Sequence, residues 1–511
     1  MTGRWTDVKF LLAWLCAASH LLKPQQTIQV LSGARTGQPD MNNDEVFAVT
    51  AARGFLPVRD PLSRLTAGTS PLSLTSPLHL FHVLEGLGDD LPKLLLCGSA
   101  TVRAQIESRL SAVAMLTLPP VLTSDEEERL FLLLSFVAHA YVWGRAPSTS
   151  TIMSDSEKDP TSGGALDDCD WIPKSLADLW IEVARRRGRP PILTYATFNL
   201  FNWRRLDASK PVELGNIACL NNFLGGQDEE WFRCVHVEIE SQSAGAVGAI
   251  LRYVEQSEAL QGNRGEGGSG CSLDRGNVDR GEGERSSNND WDGLPLAAPL
   301  VEALEEIQAC LCTIQRVLRR MNEACDPHIY YHRVRLYMSG WRNNPSLPKG
   351  LRYGPEGEHR QYYGETGAQS CILPAFDAFL GIEHEKDSMR EYLLDMRDYV
   401  PPAHLSFLLR LEAHRPLVRD VVKTRGLLRA AYNDAIKALA NFRALHLHAA
   451  DTYIRKPAPT EQLGTGGSDF RVYLRKHREE TKMHAISLKS TDLGLKEGSK
   501  MAIEPQCKEE M

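Results

Sequence analysis

Residues 427–454 read LLRAAYNDAIKALANFRALHLHAADTYI, and the fold turns on the period of this run. At 3.6 residues per turn, Tyr432, Ile436, Leu439, Phe442, His446, Ala449, Ala450 and Tyr453 fall on one face, which predicts a long helix burying that stripe. His446 lies inside the stripe, whereas His448, roughly 200° further round, faces elsewhere. Small residues, Ala449 and Ala450, follow His446 about one turn on. An imidazole so placed is either a core histidine bonded to a backbone carbonyl or a ligand with room beside it for a flat partner such as haem. The residues by themselves leave both readings open.

Working outward, the same period recurs over Glu126–Trp143, Pro173–Arg187, Arg233–Glu258, Pro299–Ala324, Phe376–Arg397 and Ala403–Ala413. Period 2 is rare, so the chain reads as all-α, with short extended pieces expected around Pro190–Tyr195, where two prolines resist helix. Two Ser/Gly/Asp-rich runs interrupt the pattern, at 146–170 and 261–293. Their composition cannot bury enough apolar surface to offset ordering entropy, so both are expected to be surface insertions. Periodicity fades again after about Thr481. These shifts divide the chain into an N-terminal extension (1–44), a small helical domain (45–225), a large helical domain (226–480) and a disordered tail (481–511).

The 511 residues carry 58 Lys+Arg against 65 Asp+Glu, a net charge of −7, with 42% hydrophobic residues. The basic runs are short, which argues against a nucleic-acid binder, since phosphate binding needs concentrated Lys and Arg. The 11 cysteines are odd in number, scattered and free of any CxxC pair, so a disulfide scaffold or structural zinc module is not expected. Phe10–Leu22 (FLLAWLCAASHLL) is too short to span a bilayer and lacks a clear small-x-small cleavage site. The expectation is a cytoplasmic, monomeric protein without stable membrane insertion. No Walker loop, HExxH, GxSxG or dinucleotide fingerprint occurs.

Two further patches carry chemistry. In Tyr330-Tyr331-His332-Arg333-Val334-Arg335, the four-residue spacing of Tyr331 and Arg335 can present an aromatic wall and a guanidinium together, a pairing that suits an aromatic amino acid. The default reading of the same residues is an exposed basic helix face. Gly464–Asp469 (GTGGSD) is either a flexible surface loop or a cradle for an anion.

Several motifs together resemble the indoleamine 2,3-dioxygenase family: HAYVWG (139–144), PPILTYATFNLFNW (190–203), VEIESQSAGAV (237–247), RLYMSGW (335–341), AFDAFLGI (375–382), MRDYVPPAHLSFLLRLE (396–412), NFRALHLHAADTYI (441–454) and GTGGSD (464–469). They occur in the family's order across roughly 45–480, and the low-complexity insertions resemble those of fungal members. The resemblance implies an all-α fold with haem b in the large domain. It implies His446 as the proximal iron ligand, braced by Arg443 and Asp377. On the substrate side it implies Tyr195, Phe198 and Asn199 in the pocket, Cys234 where the family has a serine, and Tyr330 and Tyr331 where it has phenylalanines. Arg335 matches the arginine that grips the substrate carboxylate. Thr366 and Gly367 replace a Ser-Ala pair, and Ser468 takes a threonine position. The implied partners are tryptophan or a related indoleamine and O2. The implied reaction is oxidative opening of the indole ring to N-formylkynurenine, the first step toward NAD. No distal acid–base histidine is called for, and no general base is assigned. The alternative is a haem-binding protein of the same fold with weak or no turnover.

Overall fold

The computed structural model describes residues 45–65, 77–113, 117–144, 170–266, 296–424, 426–458 and 470–487. The N-terminal run, both insertions for the most part, the GTGGSD loop with Ser468 and the far C-terminus lie outside the described residues. From Asp44 onward the chain forms one compact unit. Its helices are α1 (Pro77–Leu96), α2 (Ser99–Ser111), α3 (Ser124–Trp143), α4 (Lys174–Arg186), α5 (Gln227–Gln242), α6 (Ala244–Glu266), α7 (Ala297–Arg319), α8 (Ile372–Leu380), α9 (Ser388–Asp395), α10 (Pro402–Thr424), α11 (Gly426–Ala450) and α12 (Phe470–Met483). Among the described residues the strands are two or three residues long: β1 (Trp171–Ile172), β2 (Trp203–Arg205), β3 (Ile217–Cys219), β4 (Leu351–Tyr353) and β5 (His359–Arg360). β2 pairs antiparallel with β3. β1 runs parallel to β4, which pairs with β5.

Local chemistry explains where the elements start and stop. α3 opens on a capping box: Thr123 accepts from the Glu126 amide while the Glu126 carboxylate accepts from the Thr123 amide. Two stretches read from periodicity as single helices are broken. The run 233–258 divides at Ser243, whose hydroxyl donates to the Glu240 carbonyl at 2.7 Å and competes with the helical ladder. The run 376–397 divides because Gly381 takes φ +69° and closes α8, and Asp387 then caps α9 through the Met389 and Arg390 amides. Pro190–Tyr195 forms bends rather than a strand, with Tyr195 already helical. Order also outlasts Thr481. The Asn433 side chain exchanges two hydrogen bonds with the Ile486 backbone and holds the segment against α11. At the other insertion, α6 runs on to Glu266, past the expected boundary at 261.

Three motifs meet at His139, which is fully buried on α3. Its Nδ1 donates to the Tyr337 carbonyl at 2.7 Å, and its Nε2 accepts from the Leu193 amide at 3.1 Å. This ties HAYVWG to PPILTY and to RLYMSGW. The last of these crosses residues 362–367 so closely that a Cβ on Gly340 would stand 2.2 Å from the Gly364 nitrogen, and one on Gly364 would stand 2.3 Å from the Gly340 nitrogen. Only glycine permits that approach. Among the described residues, no helix is long and apolar enough to cross a membrane.

Candidate active site

A cavity of about 500 Å³ opens among α5, α7, α8, α11 and α12. Three π-helical turns bring residues to it: Tyr195 precedes the turn Ala196–Leu200, Tyr330 opens Tyr330–Val334, and Tyr453 lies in Asp451–Arg455. Such turns rotate side chains out of the 3.6 register and recur at functional sites. Phe232 and His236 come from α5, and the Tyr330 ring packs tilted against Phe232, their centroids 4.6 Å apart.

His446 lines this cavity from α11 while His448 is exposed. Among the described residues, the His446 Nδ1 is sealed from solvent and has no hydrogen-bond partner. Burial, reinforced by the His236 ring and the Arg443 guanidinium, lowers its pKa to about 4, so the imidazole is neutral and able to ligate a metal. Ala449 and Ala450 lie on the wall beyond it.

Behind His446, Arg443 Nη2 donates to Asp377 Oδ2 at 2.6 Å and Nη1 donates to the Thr481 hydroxyl. Burial alone would raise the Asp377 carboxyl, but Arg443 and His384 hold it well below the usual carboxylate range. The brace continues beyond the motif residues. His384 bridges Asp377 (Nε2 to Oδ2, 3.1 Å) and Glu480 (Nδ1 to Oε2, 2.6 Å), and its ring stacks on His477 at 3.7 Å. The sequence gives no sign of this group, because His384 follows α8 and its partners arrive on α12 some ninety residues later.

Of the residues singled out from the sequence, Tyr195, Tyr330, Thr366, Asp377, Arg443 and His446 share the cavity wall. Thr366 also caps a 3-10 turn by accepting from the Ala368 amide. Tyr331 and Arg335 stand beside Tyr330 but outside the lining, with the guanidinium 5.1 Å from the Tyr331 ring centroid. Phe198 and Asn199 are fully buried behind the wall, Phe198 against Phe136 and under Arg233. Cys234 faces away, its sulfur 3.8 Å from the Ile217 carbonyl oxygen. Two positions on, the helix face reverses and His236 enters the cavity. Sequence reading also missed Glu365, which is 3% exposed and lies on the wall with Oε1 accepting from Asn199 at 2.9 Å. Burial raises its pKa to about 7.

The family model described as indoleamine 2,3-dioxygenase matches residues 43–265 and 295–484. The chain is 30% identical to indoleamine 2,3-dioxygenase 1 of Rattus norvegicus over 440 residues, covering 80% of this chain and 92% of that protein. It is 26% identical to the indoleamine 2,3-dioxygenase of Saccharomyces cerevisiae, covering 82% of each. It is 25% identical to a 6-hydroxytryptophan 2,3-dioxygenase of Fusarium equiseti, covering 84% of this chain and 91% of that protein. The chain belongs to the indoleamine 2,3-dioxygenase family, whose members are haem-iron-dependent dioxygenases.

Proposed function

We propose that this enzyme opens the indole ring of tryptophan, inserting both atoms of O2 across C2=C3 to give N-formylkynurenine, with haem b held by His446. The observation that carries the reading is the His446 imidazole itself: neutral, on the cavity wall, with an Nδ1 that has no hydrogen-bond partner among the described residues. The donor set suits haem iron, and the small side chains of Ala449 and Ala450 leave the adjoining space open. Bound haem iron supplies the activation of dioxygen. The chain supplies the rest. Arg443 and Asp377 hold the proximal side, and Thr481 and His384 hold that pair in turn. Tyr195, Phe232 and Tyr330 wall the cavity with rings, which excludes water and suits a flat indole. Arg335, beside Tyr330, is proposed to pair with the substrate carboxylate, and Ser468 to be a further substrate-binding residue.

A ring-hydroxylated tryptophan is the alternative substrate, because a buried acceptor, Glu365, lies on the wall and one relative is named for 6-hydroxytryptophan. Haem binding without turnover is the rival activity, supported by Tyr330 and Tyr331 standing where the resemblance expects phenylalanines. Optical spectra of the haem-loaded protein with and without tryptophan test the reading, followed by product absorbance in the presence of ascorbate and a redox mediator. A shifted Soret band and a growing N-formylkynurenine absorbance are expected. Haem uptake without product would leave only the rival.

A further inference from the structure

Where α12 meets the loop after α8, His384, His477 and Glu480 each bring one nitrogen or oxygen atom to within 4.8 Å of the others. His477 and Glu480 are only 4% and 6% exposed. His477 is the member whose ring has no task. Among the described residues it makes no hydrogen bond through that ring, since Nε2 lies 4.0 Å from Glu480 Oε2, beyond hydrogen-bond reach. A buried histidine ordinarily engages its ring nitrogens. Burial first, then His384 and Arg443, lowers the His477 pKa to about 3, so the ring is neutral and carries a lone pair.

The other two members are already oriented. His384 Nε2 faces Asp377 Oδ2 at 3.1 Å, and Asp377 is itself held by Arg443. A carboxylate behind an imidazole in this way fixes the ring and leaves the opposite nitrogen for a metal. That nitrogen, Nδ1, points at Glu480 Oε2 at 2.6 Å. The second Glu480 oxygen, Oε1, accepts from the Glu385 amide at 3.2 Å, which leaves Oε2 as the ligand. Four carboxylates, Asp377, Glu385, Asp387 and Glu480, stand here against three cations, Arg390, Arg443 and Lys476, so no cationic surplus repels an ion.

We propose that His384 Nδ1, His477 and Glu480 Oε2 form a site for a divalent transition-metal ion of the zinc type, with Asp377 as the carboxylate behind the His384 ring. Two imidazoles and a carboxylate are a donor set that zinc favours. The ion replaces the proton between His384 and Glu480, which leaves to solvent. The two rings lie parallel at 3.7 Å, and a metal must lie in the plane of each ring it binds. Binding therefore turns one ring about its Cβ–Cγ bond, and His477, held by no hydrogen bond, is the ring that turns. The ion would tie α12 to the loop after α8 beside the Asp377–Arg443 pair. The proposal is independent of turnover. A second group, Cys219, Glu230 and Cys234, is the weaker candidate, because both Glu230 oxygens are engaged, one by the Cys219 amide at 2.5 Å and one by Asn222 at 2.8 Å.

The test uses the full-length, haem-loaded protein, wild type and the variants His477→Leu and Glu480→Gln, dialysed against graded ZnCl2. Bound zinc and iron are counted by elemental mass spectrometry, with circular dichroism and the Soret band reporting the fold. Wild type should take up a single zinc ion per chain, and X-ray absorption at the zinc edge should show imidazole scattering and only nitrogen and oxygen neighbours at about 2.0–2.2 Å. Each variant should bind zinc more weakly by about tenfold or more, the loss that removing even a residue behind a ligand can cause. If one variant loses its fold, the other decides. Equal zinc affinity in wild type and a folded variant would overturn the proposal, as would wild type that takes up no zinc. A sulfur shell at about 2.3 Å would overturn it too, by placing the ion on cysteines.

Discussion

His446 and His448 are two residues apart on one helix and have opposite environments, the first on the cavity wall and the second exposed. His446→Ala is expected to fold but bind little haem, whereas His448→Ala should keep it; haem-to-protein ratios after reconstitution decide, and equal loss in both would refute the ligand assignment. Arg335 calls for a different measurement, because its guanidinium stacks on Tyr331 beside the wall rather than on it. If it pairs with the substrate carboxylate, Arg335→Ala should leave the haem spectrum intact and weaken tryptophan use by roughly 2–5 kcal/mol, chiefly through KM. Indole analogues without a carboxylate should be much less affected, and equal damage to both would make the arginine structural. At this scale the sequence was legible wherever a residue sat within a long periodic helix, as His446 does. It misled where a two-residue difference reverses the face: Cys234 turns to the Ile217 carbonyl and His236 to the cavity.

α12 is the element whose role the sequence least suggests. Its Thr481 accepts from Arg443, its Glu480 from His384, and its His477 stacks on His384, so it closes the His446 side of the cavity through polar contacts to α11 and the loop after α8. A chain ended after residue 487 should bind haem as the whole chain does, and one ended after residue 469 should not. Equal haem retention would show that α12 is dispensable. Within the brace, Asp377→Ala strips the partner from a nearly buried guanidinium and should cost about 3–5 kcal/mol of stability in urea unfolding. The helices themselves were readable because apolar stripes dictate them, as in 126–143 and 427–454. The breaks were not, because they depend on single residues: the Ser243 hydroxyl, the left-handed Gly381 and the Asp387 cap. Nor were the π turns beside Tyr195, Tyr330 and Tyr453, since a local change of register leaves no mark in a 3.6-residue pattern.

Across the whole molecule, the cavity is assembled from helices far apart in sequence, α5 to α12. Deleting residues 267–293 behind a short Gly-Ser bridge should leave haem content and kcat/KM nearly unchanged, since a run of this Gly/Ser/Asp-rich composition cannot form a core and loop length alters stability only weakly. A stable deletion variant with much lower activity would show that the run reaches the site. We propose that this cavity holds haem on His446 and delivers both atoms of O2 to an indole. Mass spectrometry of the product formed from tryptophan under 18O2 tests it most directly. The account predicts a ring-opened product carrying two 18O atoms, absent in His446→Ala; a product with one labelled oxygen, or none, would contradict it.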